Sequence, residues 1–223
     1  MLIVIEGLDG SGKSTQVGKV REYLSEKVDG TLRYIHFPRY EAPLYGDLIS
    51  RFLRGDFGSN EQVHPMLVAL LFAQDRHDAA EQIRDWLKAG DTVLLDRYVY
   101  SNIAYQCDKL DDSGQAEDLR NWIFRTEYTV FGVPKPDLNI FLDVPISFVD
   151  EKLKENRAGN DRDYLQGKSD IHEADIEFQK KVRSIYLRQT ELDKEFVKVD
   201  CSDGHGNILA PEMIFDRLKA VLG

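Results

Sequence analysis

Residues 7–15 read Gly-Leu-Asp-Gly-Ser-Gly-Lys-Ser-Thr, so three glycines lead into a lysine and two hydroxyls. From Gly7 to Ser14 they fill every fixed position of the pattern Gly-x-x-x-x-Gly-Lys-[Ser/Thr]. The chemistry this serves is the holding of a polyphosphate. Backbone N–H groups must converge on the anion, and residues without Cβ allow that close approach. A helix starting at Lys13 would aim its positive end at the same oxygens. Lys13 adds a mobile full charge for the outer phosphates, and the Ser14 hydroxyl suits Mg²⁺. The candidate cofactor residues are therefore Gly7, Gly10, Ser11, Gly12, Lys13, Ser14 and Thr15, expected to hold a nucleoside triphosphate such as ATP.

A second cluster follows the stretch Thr92–Asp96, where an apolar run ends in Asp96 and Arg97. A carboxylate closing a strand beside a phosphate loop is the expected second Mg²⁺ position. Arg97 next to it would neutralise a phosphate on the acceptor, although an Asp–Arg pair at a strand end also serves as a plain internal ion pair. A third cluster lies between residues 157 and 170, about 14 residues of irregular charged sequence. Irregular loops longer than roughly 12 residues in a compact domain are often lids. Gly159 and Gly167 would be its hinges, and Arg157, Arg162 or Lys168 would bring a cation onto the transferring phosphoryl group. Asp161 and Asp163 interleave with these cations, so the sequence does not choose among them.

The elements that must position these groups alternate along the chain. Apolar runs at 2–6, 32–37, 92–96, 138–143 and 196–200 read as strands. Helical patterns lie near 13–28, 44–54, 64–88, 99–108, 115–131, 146–156, 171–193 and 208–221. Pro43, Pro65 and Pro211 sit where a first helical turn would accept them. Short unbroken strands separated by helices predict an α/β fold, a five-stranded parallel sheet with helices on both faces. Ligands of such sheets bind beyond the carboxyl ends of the strands. Glu6, Asp96 and Asp143 close three of the five there.

At 223 residues the chain reads as one domain, 1–223, with the lid segment at about 157–170. Its net charge of −10 argues against a nucleic-acid surface or an anionic membrane. The first residues carry no basic region before the apolar run, and no stretch approaches the ~20 apolar residues of a membrane span. Cys107 and Cys201 are far apart, and His36, His64, His77, His172 and His205 show no zinc spacing. A reduced, cytoplasmic protein with no metal beyond Mg²⁺ is expected.

Four segments taken together, "EGLDGSGKST", "FPRY" at 37–40, "LFAQDR" at 71–76 and "DRYVYSNIAYQ" at 96–106, resemble the thymidylate kinases, in the family's order and over essentially the whole chain. The resemblance implies a P-loop NTPase fold and transfer of the γ-phosphoryl group of ATP to dTMP, giving dTDP and ADP. It also implies a homodimer, with no nucleic-acid or membrane partner. Asp9 matches an acid that reaches the sugar 3′-hydroxyl and the Mg²⁺ shell. Arg39 resembles the arginine that grips the dTMP phosphate, a task suited to a planar guanidinium, and Phe37 would wall the base pocket. Phe72 and Arg76 are four apart on one helix face, offering an aromatic plane and a donor for thymine O4. Asn102 resembles the amide that meets the thymine edge, and Tyr105 the tyrosine that excludes a 2′-hydroxyl. Asp170 and Glu173 resemble acids at the far end of the lid that order it and reach the metal or sugar. Because Gly10 follows Asp9, the charge that some members place in the phosphate loop must come from the lid.

Two rivals compete with this expectation. A deoxynucleoside or uridylate/cytidylate kinase would not need both an acceptor-phosphate clamp and a 2′ gate. A P-loop switch or partner-binding ATPase would need no base pocket and would hydrolyse nucleotide without an acceptor. The turn at 200–207 is where an adenine pocket would lie.

Overall fold

The computed structural model describes residues 1–110, 112–155, 160–168, 170–173 and 175–223, with no side-chain placement at 160–162. Five strands form one parallel sheet: β1 (Leu2–Gly7), β2 (Leu32–His36), β3 (Thr92–Asp96), β4 (Leu138–Asp143) and β5 (Phe196–Asp200), in the order β2-β3-β1-β4-β5. Successive strand side chains point to opposite faces. All six residues of β1 and all five of β3 are buried, so both faces of the sheet centre are covered.

The helices are α1 (Lys13–Lys27), α2 (Tyr45–Leu53), α3 (Pro65–Lys88), α4 (Val99–Cys107), α5 (Ser113–Phe124), α6 (Ile146–Lys154), α7 (Ile176–Leu192) and α8 (Pro211–Leu222). Helix α1 packs on β1, β2 and α8, while α4 meets β1, α3, α5 and α7. Ile5 of β1 pairs with Asp96 of β3, which sets the phosphate loop beside the Asp96 carboxylate at the same sheet edge.

The strands fall where the apolar runs placed them, but two helices differ. The pattern over 115–131 divides: α5 stops at Phe124, and Arg125–Val130 continues as a π-helix that buries Glu127 completely. The pattern over 171–193 starts late, because Asp175 caps α7 by accepting the Glu177 amide at 2.8 Å. Pro65 and Pro211 do open their helices, whereas Pro43 lies ahead of α2 rather than in its first turn.

A small second core, Ile49, Phe52, Leu53 and Val68, lies under Tyr40, Phe72, Tyr164 and Ile171. It fastens the described part of the expected lid, including a 3₁₀ segment over Asn160–Leu165, to α2.

Candidate active site

The loop between β1 and α1 is shaped for an anion. Gly12 takes a φ of 74°, the left-handed region that suits glycine, and α1 begins there without a side-chain cap. The orphan N–H groups of a helix start are then open to phosphate oxygens. A Cβ on Gly7 would sit 3.0 Å from Ser11 Oγ, so the loop closes tightly on itself. Ser14 and Thr15 face solvent.

Lys13 and Asp96 are both buried and hydrogen-bonded to each other. Asp96 also meets His36 Nδ1 at 3.1 Å and the Tyr34 hydroxyl at 3.5 Å. Burial alone would raise the pKa of Asp96, but Lys13 and His36 outweigh it and hold the carboxyl well below the usual carboxylate range. A Ser14 hydroxyl and a strand-end carboxylate are the hard oxygen donors Mg²⁺ takes beside phosphates. To serve, Asp96 must share Lys13 with the incoming oxygens. Among the described residues no group of three or more His, Cys, Asp or Glu forms a ready-made metal cage.

Beyond Asp96 lies a cavity lined by side chains from six segments of the chain. On one side Asp9 accepts from Arg97 Nη2 at 2.6 Å, the Tyr105 hydroxyl at 2.8 Å and Gln179 Nε2 at 3.1 Å. Burial pushes the Asp9 carboxyl up, and Arg97 pulls it lower still, so it stays ionised. Arg97 has a φ of 68°, a strained conformation for a residue with a side chain. On the other side Arg76 makes a two-pronged ion pair with Glu127, at 2.5 and 2.7 Å, both residues buried. Asn102 Nδ2 donates to the same Glu127 at 2.9 Å and to the Ala69 carbonyl at 2.9 Å. Asn102 Oδ1 and Gln106 Oε1 are buried acceptors without a partner, and both residues line the cavity. Phe37, Pro38 and Phe72 supply apolar wall.

Similarity to known proteins covers nearly all of this. The thymidylate kinase family model matches residues 5–209. The thymidylate kinase of Mycobacterium tuberculosis is 34% identical over 83% of this chain and 84% of its own length. That of Plasmodium falciparum is 34% identical over 93% of this chain and 87% of its own. This chain belongs to the thymidylate kinase family. Its reaction is accordingly the phosphorylation of dTMP to dTDP, with ATP as donor. The solved Candida albicans thymidylate kinase superposes with a TM-score of 0.69 at 29% identity, over 99% of this chain and 90% of that one. The Ehrlichia chaffeensis enzyme, at 21% identity, a TM-score of 0.66 and coverage of 100% and 98%, shares the fold.

Against the thymidylate kinase expectation the structure brings Asp9, Phe37, Phe72, Arg76, Arg97, Asn102 and Tyr105 onto one cavity. Arg39 is placed differently. Its Nε bonds Asp75 at 2.8 Å and its Nη2 bonds Asp78 at 2.6 Å, so two carboxylates of α3 hold the guanidinium, and Arg39 is not on the cavity wall. Glu173, expected with Ser14 and Asp96, instead lines the cavity with Asp9 and Asp170, because the chain after the lid turns over the acceptor side. Arg157 and the Arg162 side chain lie outside the described residues. Lys168 is turned away to Asp56 at 2.7 Å.

Several lining residues had no place in the sequence reading. Tyr40 and Tyr164 stack at 3.9 Å with 5° between their planes, joining the "FPRY" loop to the lid. The Tyr164 hydroxyl donates to Asp170 at 2.8 Å, and burial with Asp9 nearby pushes Asp170 up to about 7. His172 is buried and kept neutral by burial, with Lys109 adding to the effect. Gln106 carried a signal: it stands four residues after Asn102 and shares its helix face. Glu127 carried none, being a lone acid 51 residues from Arg76.

Proposed function

We propose a division of labour in which the glycine loop holds the donor and the cavity selects the acceptor. Gly7, Gly10, Ser11, Gly12, Ser14 and Thr15 hold the ATP phosphates through backbone and hydroxyl groups, and Lys13 follows the transferred group. Ser14 and Asp96 would hold Mg²⁺, which when bound neutralises phosphate charge and fixes the donor. The acceptor phosphate lies at Arg97 and displaces the Asp9 arm of that guanidinium. Asp9 is left to meet the sugar 3′-hydroxyl, and Glu173 stands beside it. An oxygen of the dTMP phosphate attacks the γ-phosphorus, the bond to the β-phosphate oxygen breaks, and ADP leaves. No protein nucleophile is needed, since positioning and charge neutralisation carry such transfers.

The observation that carries the acceptor reading is the unpartnered Asn102 Oδ1 on the cavity wall beside Arg76. Thymine offers an N3–H donor to the first and an O4 acceptor to the second, and cytosine reverses that pattern. Phe72 and Phe37 flank the ring, and Tyr105 crowds the sugar C2′. Arg39 anchors the loop carrying Phe37 in this arrangement and reaches the phosphate only by leaving Asp78. Arg157 and Arg162 supply the lid charge. A homodimer in the cytoplasm fits the family, and the two cysteines, both free and buried, suit a reducing compartment. No helix among the described residues is long and apolar enough to cross a membrane.

ADP formation from Mg-ATP with dTMP, dUMP, UMP, dCMP, thymidine or no acceptor tests the reading. Turnover centred on dTMP, with dUMP a weak second, is expected. Equal turnover with thymidine or without acceptor would remove the roles given to Arg97, Asn102 and Tyr105.

A further inference from the structure

Helix α4 starts without a cap of its own, for Tyr98 at its N-cap makes no side-chain capping bond. The cap comes from β1. Glu6 Oε1 accepts the amides of Tyr98 at 2.8 Å and Ser101 at 3.1 Å. Its Oε2 accepts the Ser101 hydroxyl at 2.5 Å and the Tyr186 hydroxyl at 3.0 Å. Glu6 is fully buried, and a buried carboxylate is costly unless its oxygens are satisfied. The turn it caps is the one that forces Arg97 to a φ of 68°. From that backbone Arg97 reaches two acceptors: Nη2 goes to Asp9, and Nη1 donates to Ser101 Oγ at 3.3 Å. A hydrogen-bonded line thus runs from the Arg97 guanidinium through the Ser101 hydroxyl to Glu6.

We propose that Glu6, acting through the Ser101 hydroxyl, is the positioning residue that fixes the Arg97 guanidinium for the acceptor phosphate. It touches no substrate itself. The proposal rests on the reading that Arg97 meets that phosphate. An incoming dianion competes with Asp9 for Nη2, so at the moment of exchange the Ser101 arm, with the Tyr105 ring 5.2 Å from the guanidinium carbon, keeps the guanidinium plane in place. A carboxylate behind that hydroxyl orients its proton inward and leaves its lone pairs to Arg97. A residue that only capped α4 would affect folding and leave acceptor recognition alone.

Steady-state kinetics and thermal unfolding of Arg97→Ala, Glu6→Gln, Ser101→Ala, Ser101→Thr and Tyr186→Phe test this. Arg97→Ala examines the underlying reading by itself and should raise the dTMP KM by tenfold or more, as loss of a charge-assisted contact does. Glu6→Gln keeps the shape and the two amide bonds. It and Ser101→Ala should each raise the dTMP KM about fivefold to tenfold with the ATP KM within about twofold. Ser101→Thr, which keeps the hydroxyl, should restore it. Tyr186→Phe removes a bond to Glu6 at 3.0 Å and a contact with Ser101 Oγ at 2.8 Å but leaves Glu6, Ser101 and Arg97 in place, so it should raise the dTMP KM less than Ser101→Ala does. Wild-type dTMP KM in both Glu6→Gln and Ser101→Ala, with Arg97→Ala impaired, overturns the proposal. Unchanged KM in Arg97→Ala overturns the reading beneath it instead. Should Glu6→Gln fail to fold, the Ser101→Ala and Ser101→Thr pair decides.

Discussion

The two halves of the site are built on different principles. The donor half is nine consecutive residues whose backbone does most of the binding, around a helix start left uncapped at Gly12. The acceptor half is drawn from Asp9, the "FPRY" loop, α2, α3, α4 with Arg97 before it, and Tyr164 with residues 170–173, and it works through side chains that hold one another. Among the described residues Lys13–Asp96 is the buried ion pair at the donor edge, whereas Arg97–Asp9 and Arg76–Glu127 organise both ends of the acceptor cavity. A backbone cradle tolerates variation in all but its glycines, lysine and hydroxyl. A side-chain cavity depends on partners far apart in the chain, and there a single loss propagates.

The largest effect should come from removing the one positive charge among the nine residues of the donor half. Lys13→Ala is expected to lower kcat by about 10²–10³, as loss of a charge-stabilising donor does, with the dTMP KM little changed. A rise in dTMP KM as large as the fall in kcat would mean that the halves are not separate. On the acceptor side, Glu127→Ala leaves Arg76 charged and buried without its partner, which costs about 3–5 kcal/mol. For a chain of this size that is a fall in Tm of roughly 6–20 °C, readable by calorimetry, with dTMP affinity lost alongside. A Tm within two or three degrees of the parent would show that the pair does not organise the cavity.

Tyr105→Ala sharpens the comparison from within one half. Relief of crowding at C2′ should improve the use of UMP relative to dUMP by about tenfold, measured as a ratio of kcat/KM values. An unchanged ratio would place the gate elsewhere. The smallest effect concerns Lys109, whose ammonium lies 5.1 Å from the Phe52 ring centroid and has no hydrogen-bond partner. Burial pulls its pKa down to about 7. Between pH 7 and 10.5 the unfolded chain then binds the proton that the folded chain has lost, so this residue makes stability rise with pH across that window. Lys109→Met should flatten the rise in Tm from pH 7 to pH 9. A slope identical to the parent's would contradict the assignment.

The same contrast explains what the sequence could tell. All five strands were legible because each is a short apolar run, and the glycine loop was legible because its spacing is its function. Phe72, Arg76, Asn102 and Tyr105 needed the family pattern, since an aromatic or an arginine on a helix face has no chemistry of its own. Glu127 and the partners of Arg39 stayed hidden because ion pairs between α3 and other segments leave no periodic trace. The late start of α7 was hidden as well. An apolar residue at Ile171 extends the helical pattern, but it packs on the small core under Tyr164 while Asp175 begins the helix. The tyrosine stack between residues 40 and 164 brings together rings 124 positions apart, which only the folded chain can show.

A crystal structure of the complex with dTMP and a non-hydrolysable ATP analogue tests the division most directly. Thymine N3 within hydrogen-bond distance of Asn102 Oδ1, the 5′-phosphate on Arg97 in place of Asp9, and donor phosphates on residues 7–15 are the expected result. A base away from Asn102 and Arg76, or an acceptor phosphate that leaves the Arg97–Asp9 pair intact, would contradict the account.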